Sequence, residues 1–186
     1  FSSPHAIAVN SNYIFVGYAG TYVTVMQHNG SFVANHYLGS YVRYSWGMSV
    51  NGAGNKLAIA DYTQNRIHEY SISGSNLSYS RSSNSSYSSS NGYFRRPTDT
   101  AYDSSGNIYV SDLYNHRVQK LNSSMVYQGK VGSYSTTTGF RYPYGLTIDS
   151  NDKIYATDFY NYAVRQYDTS LTETATYGGG AGTRLS

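Results

Sequence analysis

The sequence predicts an all-β fold: four copies of a four-stranded antiparallel unit stacked as the blades of a β-propeller. Three observations carry this. Blocks of residues recur at a fixed offset of 46 in the second half of the chain. Each copy holds short alternating apolar runs separated by turn chemistry. The composition, with 23 Tyr in 186 residues and only 12% charged residues, disfavours helices and suits pleated, half-buried strands.

The repeat is clearest between two units. Phe94-Arg95-Arg96-Pro97 returns as Phe140-Arg141-Tyr142-Pro143. Asn107-Ile108-Tyr109-Val110-Ser111-Asp112 returns as Lys153-Ile154-Tyr155-Ala156-Thr157-Asp158. Tyr114-Asn115-His116-Arg117-Val118 returns as Tyr160-Asn161-Tyr162-Ala163-Val164. The same order appears earlier with more drift. Leu57 to Asp61 with Asn65-Arg66-Ile67 marks one unit, and Phe1 to Pro4, Ile14 to Val16 and Val23 to Val25 mark another. The units span about 1–41, 42–92, 93–138 and 139–186 of one propeller region. The second is longer by a Ser-rich run, Ser78 to Ser90, which reads as an extended outer loop.

Within the third unit, Thr98 to Tyr102 reads as a strand and Asp103 to Gly106 as a turn. Asn107 to Ser111 is the next strand and Asp112 to Asn115 the next turn. Arg117 to Leu121 and Val126 to Val131 complete the set. Four antiparallel strands in about 45 residues make one propeller blade. A single blade cannot bury both of its faces, so such units come in arrays.

The pattern Phe-x-x-Pro, then Asp-x-x-Gly-Asn-Ile-Tyr-Val-x-Asp, then Asn-His-Arg-Val resembles the NHL repeat. The third unit carries it through Phe94, Pro97, Asp103, Gly106, Asn107, Tyr109, Val110, Asp112, Asn115, His116, Arg117 and Val118. In the fourth, Tyr162-Ala163 replaces His-Arg. The second has Trp46 near the Pro position, and the first reads Gly17-Tyr18-Ala19-Gly20 where the Asp belongs. The resemblance implies a propeller, and family propellers usually have about six blades. Three arrangements therefore suit four units: a compact four-bladed ring, part of a longer array, or copies that complete a ring by association. An open propeller exposes two apolar blade faces, which seek partners.

Composition narrows the function classes. The net charge of +3 permits attraction to anions without demanding nucleic acid. With no cysteine, disulfides and thiolate metal sites are excluded. No apolar run reaches the roughly 18 residues of a membrane span. Four Asn-x-Ser/Thr acceptors, at Asn29, Asn76, Asn84 and Asn122, are compatible with secretion but match chance in a chain this rich in Ser and Thr.

The repeated Asp61, Asp112 and Asp158 could be catalytic or metal-binding carboxylates. Their recurrence, read in register with Asn65, Asn115 and Asn161, points instead to turn closure on backbone amides. A catalytic pair needs differing environments, and repetition supplies similar ones. The five histidines show no metal-ligand spacing. His5 follows Pro4 where the chain enters its innermost strand, and His116 is the signature His. Related propellers hold metal in the channel for lyase or lactonase chemistry, but no matching His and carboxylate set is visible. No cofactor motif appears either.

The unit starts are the candidate binding residues. Arg43, Arg95 and Arg141 hold one repeated position, Arg96 adds a charge, and Tyr44 and Tyr142 add rings. With His5 and Trp46 they should cluster on one face of the disc and grip a phosphate, a carboxylate or a sugar. Exposed Tyr beside Ser and Asn is also the chemistry of adaptable recognition surfaces. The sequence thus favours a non-enzymatic interaction or structural module that binds a protein, a glycan or further copies of itself. A metal-dependent lyase or hydrolase using the channel, at His5 or Asp99, is one alternative. RNA binding through Arg43, Arg95, Arg96 and Arg141, as in some family members, is the other.

Overall fold

In the computed structural model, residues 3–136 and 138–179 are described. Phe1, Ser2 and the Gly180–Thr183 part of the Gly-rich C-terminal link lie outside them. No helix among the described residues is long and apolar enough to cross a membrane.

The chain is a four-bladed β-propeller. Blade 1 holds β1 (Pro4–Val9), β2 (Ile14–Tyr18), β3 (Tyr22–Met26) and β4 (Phe32–Tyr37). Blade 2 holds β5 (Ser45–Val50), β6 (Lys56–Asp61), β7 (Arg66–Ser73) and β8 (Asn76–Ser82). Blade 3 holds β9 (Pro97–Tyr102), β10 (Ile108–Asp112), β11 (Arg117–Leu121) and β12 (Tyr127–Val131). Blade 4 holds β13 (Pro143–Ile148), β14 (Ile154–Asp158), β15 (Ala163–Tyr167) and β16 (Glu173–Gly178). Each blade is an antiparallel meander in sequence order.

The innermost strands stand side by side, β1 on β5, β5 on β9 and β9 on β13. Among the described residues, β13 makes no contact with β1 of the extent the other neighbouring inner strands share. A bulge recurs at one position between the third and outer strands, at Val25/Met26, Glu69/Tyr70, Lys120/Leu121 and Gln166/Tyr167. Such a bulge increases the local twist of the outer strand.

The core lies between blades, as strand alternation requires. In β6, Leu57 and Ile59 point to blade 1, whereas Ala58 and Ala60 point to blade 3. In β10, Ile108 and Val110 face blade 2, and Tyr109 faces blade 4. All seven are buried.

Two sequence expectations change. The start of the Ser-rich run, Ser78 to Ser82, is strand, because Leu77 and Tyr79 alternate onto the blade 1–2 core and hold β8 in the sheet. The rest folds over blade 3, where Ser88, Ser89 and Ser90 present backbone carbonyls to Asn115 and Arg117. The register of the Asn residues also changes. Asn65 is four residues after its Asp, and Asn115 and Asn161 are three after theirs. The equivalents of Asn65 are thus His116 and Tyr162, and all three have left-handed backbones, with φ of 57°, 54° and 55°.

Candidate binding face

The unit starts and the turns after the second strands share one end of every blade, because Ser45, Pro97 and Pro143 pair with Asp61, Asp112 and Asp158. The three buried carboxylates fasten these loops together. Asp61 Oδ2 accepts the Arg43 backbone N–H at 2.6 Å, Asp112 Oδ1 that of Arg95 at 2.7 Å, and Asp158 Oδ1 that of Arg141 at 2.7 Å. The other oxygens close the turns. Asp112 takes Asn115 and Arg117, and Asp158 takes Asn161 and Arg165. Asp61 takes the backbone N–H groups of Thr63 and Gln64. Burial pushes the Asp112 carboxyl up, against the lowering effect of these donors.

The residue seven after each Asp also faces the carboxylate. In blade 3 it is Gln119, donating at 3.0 Å. In blade 4 it is Arg165. In blade 2 it is His68, fully buried, whose Nε2 stops 3.8 Å from Asp61 Oδ2. Neither His68 ring nitrogen has a hydrogen-bond partner. Burial holds His68 down to about 4, against the pull of Asp61, so it is neutral near pH 7.

On this scaffold stands a belt of rings. The position after the Pro carries His5, Trp46, Thr98 and Tyr144 on the four inner strands. His5 stacks on Trp46 at 5.1 Å, and Trp46 stacks on Tyr62 at 4.6 Å. Tyr44 joins both His5 and Trp46, and its hydroxyl meets His5 Nε2 at 3.0 Å. Tyr144 meets Trp46 edge-on and continues to Phe159 and Tyr160. Tyr142 then connects Tyr160, Tyr114 and His116. Arg96 lies over Tyr62 at 4.8 Å and Tyr114 at 5.6 Å, and Arg141 lies over Tyr160 at 5.6 Å. His116 Nδ1 accepts the Tyr142 backbone N–H at 3.2 Å, and Asn65 Oδ1 accepts that of Arg96 at 3.0 Å, so both left-handed residues tie one blade to the next.

Of the eight residues named from sequence, His5, Tyr44, Trp46, Arg96, Arg141 and Tyr142 join this belt. Arg43 is exposed and touches none of these rings. Arg95 turns toward the Ser-rich segment and covers Tyr87 at 5.0 Å. Sequence reading missed Tyr62, Tyr114, Tyr144, Phe159 and Tyr160, although their repeated places after the Pro and after the Asp could have shown them.

Two hollows meet at Tyr144. One, of about 760 Å³, is walled by Tyr62, Tyr114, Arg141, Tyr142, Tyr144 and Tyr160. The other, of about 700 Å³, runs between the inner strands below His5 and Trp46. Asp99 is its carboxylate, and burial raises it to about 7. Both Asp99 oxygens are engaged, by the backbone N–H of Thr100 and of Leu146. Among the described residues no group of three or more His, Asp and Glu side chains gathers as a metal site would need.

An NHL repeat model matches residues 94–121, the start of blade 3 through β11. Blade 3 thus carries an NHL repeat, and the chain as a whole is a four-bladed β-propeller. No curated protein matches the sequence. Among solved structures, streptogramin B lyase aligns with 95% of this chain and 54% of its own, at 12% identity and a TM-score of 0.70. A structure of the nidogen/laminin complex aligns over 94% and 63%, at 18% identity and 0.72. A protein of unknown function from Bacteroides caccae aligns over 94% and 60%, at 10% identity and 0.66. The chain thus spans between about half and two thirds of these structures, and at such identities the likeness is one of fold.

Proposed function

We propose that this propeller is a non-enzymatic recognition module that binds a partner protein on its aromatic face. The continuous belt of Tyr, Trp and Arg side chains at one end of the blades carries this reading. Those three residue types dominate the energetics of protein interfaces. Tyr and Trp offer large rigid contact areas at low entropic cost. The Nε of Arg141 is buried without a hydrogen-bond partner beside the hollow, which suits a carboxylate on the partner. One solved neighbour, nidogen with laminin, is itself a protein complex.

The test is a displayed peptide library run beside a glycan array. Selected peptides should carry Asp or Glu, and binding should fall at least tenfold in Tyr142→Ala and in Arg141→Ala. Tyr22→Ala, on the outer part of blade 1, should bind as the parent does. Glycan binding without peptide binding would replace the protein partner with a carbohydrate. Binding to neither would overturn the proposal. RNA is separated by salt, since a phosphate-driven complex weakens steeply as salt rises.

The channel supports a second reading, a lyase or hydrolase, because His5 and Asp99 line the inner-strand hollow and one fold neighbour is a lyase. Against it stands the engagement of both Asp99 oxygens by backbone amides. Elemental analysis of the purified chain and an activity that survives Tyr142→Ala but not Asp99→Asn would favour this reading.

A further inference from the structure

Two ties between neighbouring blades share one construction but use different acceptors. In the turn after the second strand of blades 2 and 3, a left-handed residue offers a side-chain acceptor to the next unit start. Asn65 Oδ1 takes the Arg96 backbone N–H at 3.0 Å, and His116 Nδ1 takes that of Tyr142 at 3.2 Å. The two donors are equivalent as well. Arg96 and Tyr142 each precede a proline, and each has a left-handed backbone, at φ of 52° and 63°. A residue other than glycine stays in that region only where its surroundings hold it there.

The acceptors differ in one property. An amide oxygen accepts at every pH, whereas an imidazole nitrogen accepts only while it carries no proton. The Tyr142 N–H can only donate, so the bond places the proton of neutral His116 on Nε2. A second proton must go to Nδ1, where an N–H would face an N–H. The ring is half-buried between Tyr134, at 4.9 Å, and Tyr142, at 4.5 Å. Burial lowers its pKa from the ordinary histidine value; Asp158 of blade 4 raises it and Arg141 lowers it further. Its chain neighbour Arg117 is turned inward onto Asp112. The ring is therefore neutral near pH 7.

Tyr142 is where this matters. It walls the hollow of about 760 Å³ and joins Tyr114, at 5.5 Å, to Tyr160, at 5.3 Å. Its carbonyl is held separately by the Phe159 N–H at 3.3 Å, which leaves the N–H side to His116. We infer that His116 is a positioning residue for the aromatic face: the neutral ring holds Tyr142 in the wall of the hollow, and protonation at Nδ1 releases it. Asn65 holds Arg96 in the same way without any dependence on pH. The face is thus set at neutral pH and loosened on its Tyr142 side in acid. The consequence for binding rests on the recognition role proposed above; the latch itself does not.

Amide hydrogen exchange followed by NMR on the free chain tests the latch, with protection factors removing the intrinsic pH dependence of exchange. As the His116 ring titrates, the Tyr142 N–H should lose about tenfold or more in protection. The Arg96 N–H should keep its own. In His116→Asn, which installs the acceptor of blade 2, the Tyr142 N–H should stay protected across the same range. In His116→Ala it should be poorly protected throughout. Flat Tyr142 protection through the His116 titration would overturn the inference. So would an equal fall at Arg96, or the same fall in His116→Asn, since either would report a general loosening in acid. A peptide selected on the parent near neutral pH should lose affinity about fivefold or more as His116 titrates and lose less in His116→Asn. Equal losses in the two chains would overturn the positioning role. A library that yields no peptide would count against the recognition role, and the exchange data would still decide the latch.

Discussion

The carboxylate of Asp112 accepts the backbone N–H of Arg95 at 2.7 Å, across 17 residues of sequence. One oxygen thus fixes the loop that opens blade 3, and the other gathers Asn115, Arg117 and Gln119. The Arg117 guanidinium, itself buried, reaches on to the carbonyls of Ser89, Ser90 and Tyr93. A single buried charge pair therefore organises the turn, the unit start and the Ser-rich segment.

Asp112→Ala should cost about 3–5 kcal/mol, because it leaves the Arg117 charge buried and unpaired. Asp168→Ala, in an exposed hairpin turn bonded to Ser170 and Thr172, should cost far less. Urea unfolding of the two variants measures the contrast. Equal losses would mean that Asp112 is not the organising group.

Stability should respond to pH through two opposed groups. His68 titrates at about 4 in the fold against an ordinary 6.5, so the unfolded chain takes up its proton first. Its contribution is present above pH 6.5 and is lost as pH falls to 4. Asp99 titrates at about 7 against 3.8, so the folded chain holds its proton longer. Its contribution is present below pH 3.8 and is lost as pH rises to 7. Between pH 4 and 6.5 the two slopes oppose each other. Asp99→Asn should therefore expose a steeper acid loss than the parent shows. His68→Gln, which introduces the residue blade 3 uses at that position, should expose a gain toward acid. Thermal midpoints collected from pH 4 to 8 read both slopes.

Gly47→Ala should destabilise the inner-strand layer by about 1–3 kcal/mol. A Cβ there would lie 2.3 Å from the Thr98 carbonyl oxygen and 2.7 Å from the Asp99 Cα, and backbone has no room to yield. Gly52→Ala meets nothing within 4 Å and should be nearly neutral. Denaturant midpoints of the two variants distinguish a packing effect from a general loss of glycine.

Tyr162→Gly should stabilise by about 0.5–1 kcal/mol, since Tyr162 is exposed and sits at a φ of 55° that glycine reaches without strain. His116→Gly at the equivalent place should not, because it removes the acceptor of the Tyr142 N–H. A gain at both positions would show that the blade 3–4 link contributes nothing.

Much of the fold is written in local order. The four strands of blade 3 fall within a residue or two of where alternation and turn residues place them, because those signals act over only a few residues. The Ser-rich run was harder to read. Its strand part, Ser78 to Ser82, depends on Leu77 and Tyr79 reaching a core that blade 1 supplies, and nothing in the run itself reveals that partner. The aromatic face was half legible. Arg96, Arg141 and Tyr142 stand at repeated unit starts, whereas Tyr62, Tyr114 and Tyr160 come from separate turns that meet them only when blades stack.

The sequence by itself determined the repeated blade, its strand order and the duty of its Asp residues, since each follows from short-range pattern and hydrogen-bond chemistry. Only the tertiary structure decided which face of each strand meets a neighbour, and that Asn65 stands with His116 rather than Asn115. Those outcomes depend on how one blade packs on the next, a long-range contact that no single repeat encodes.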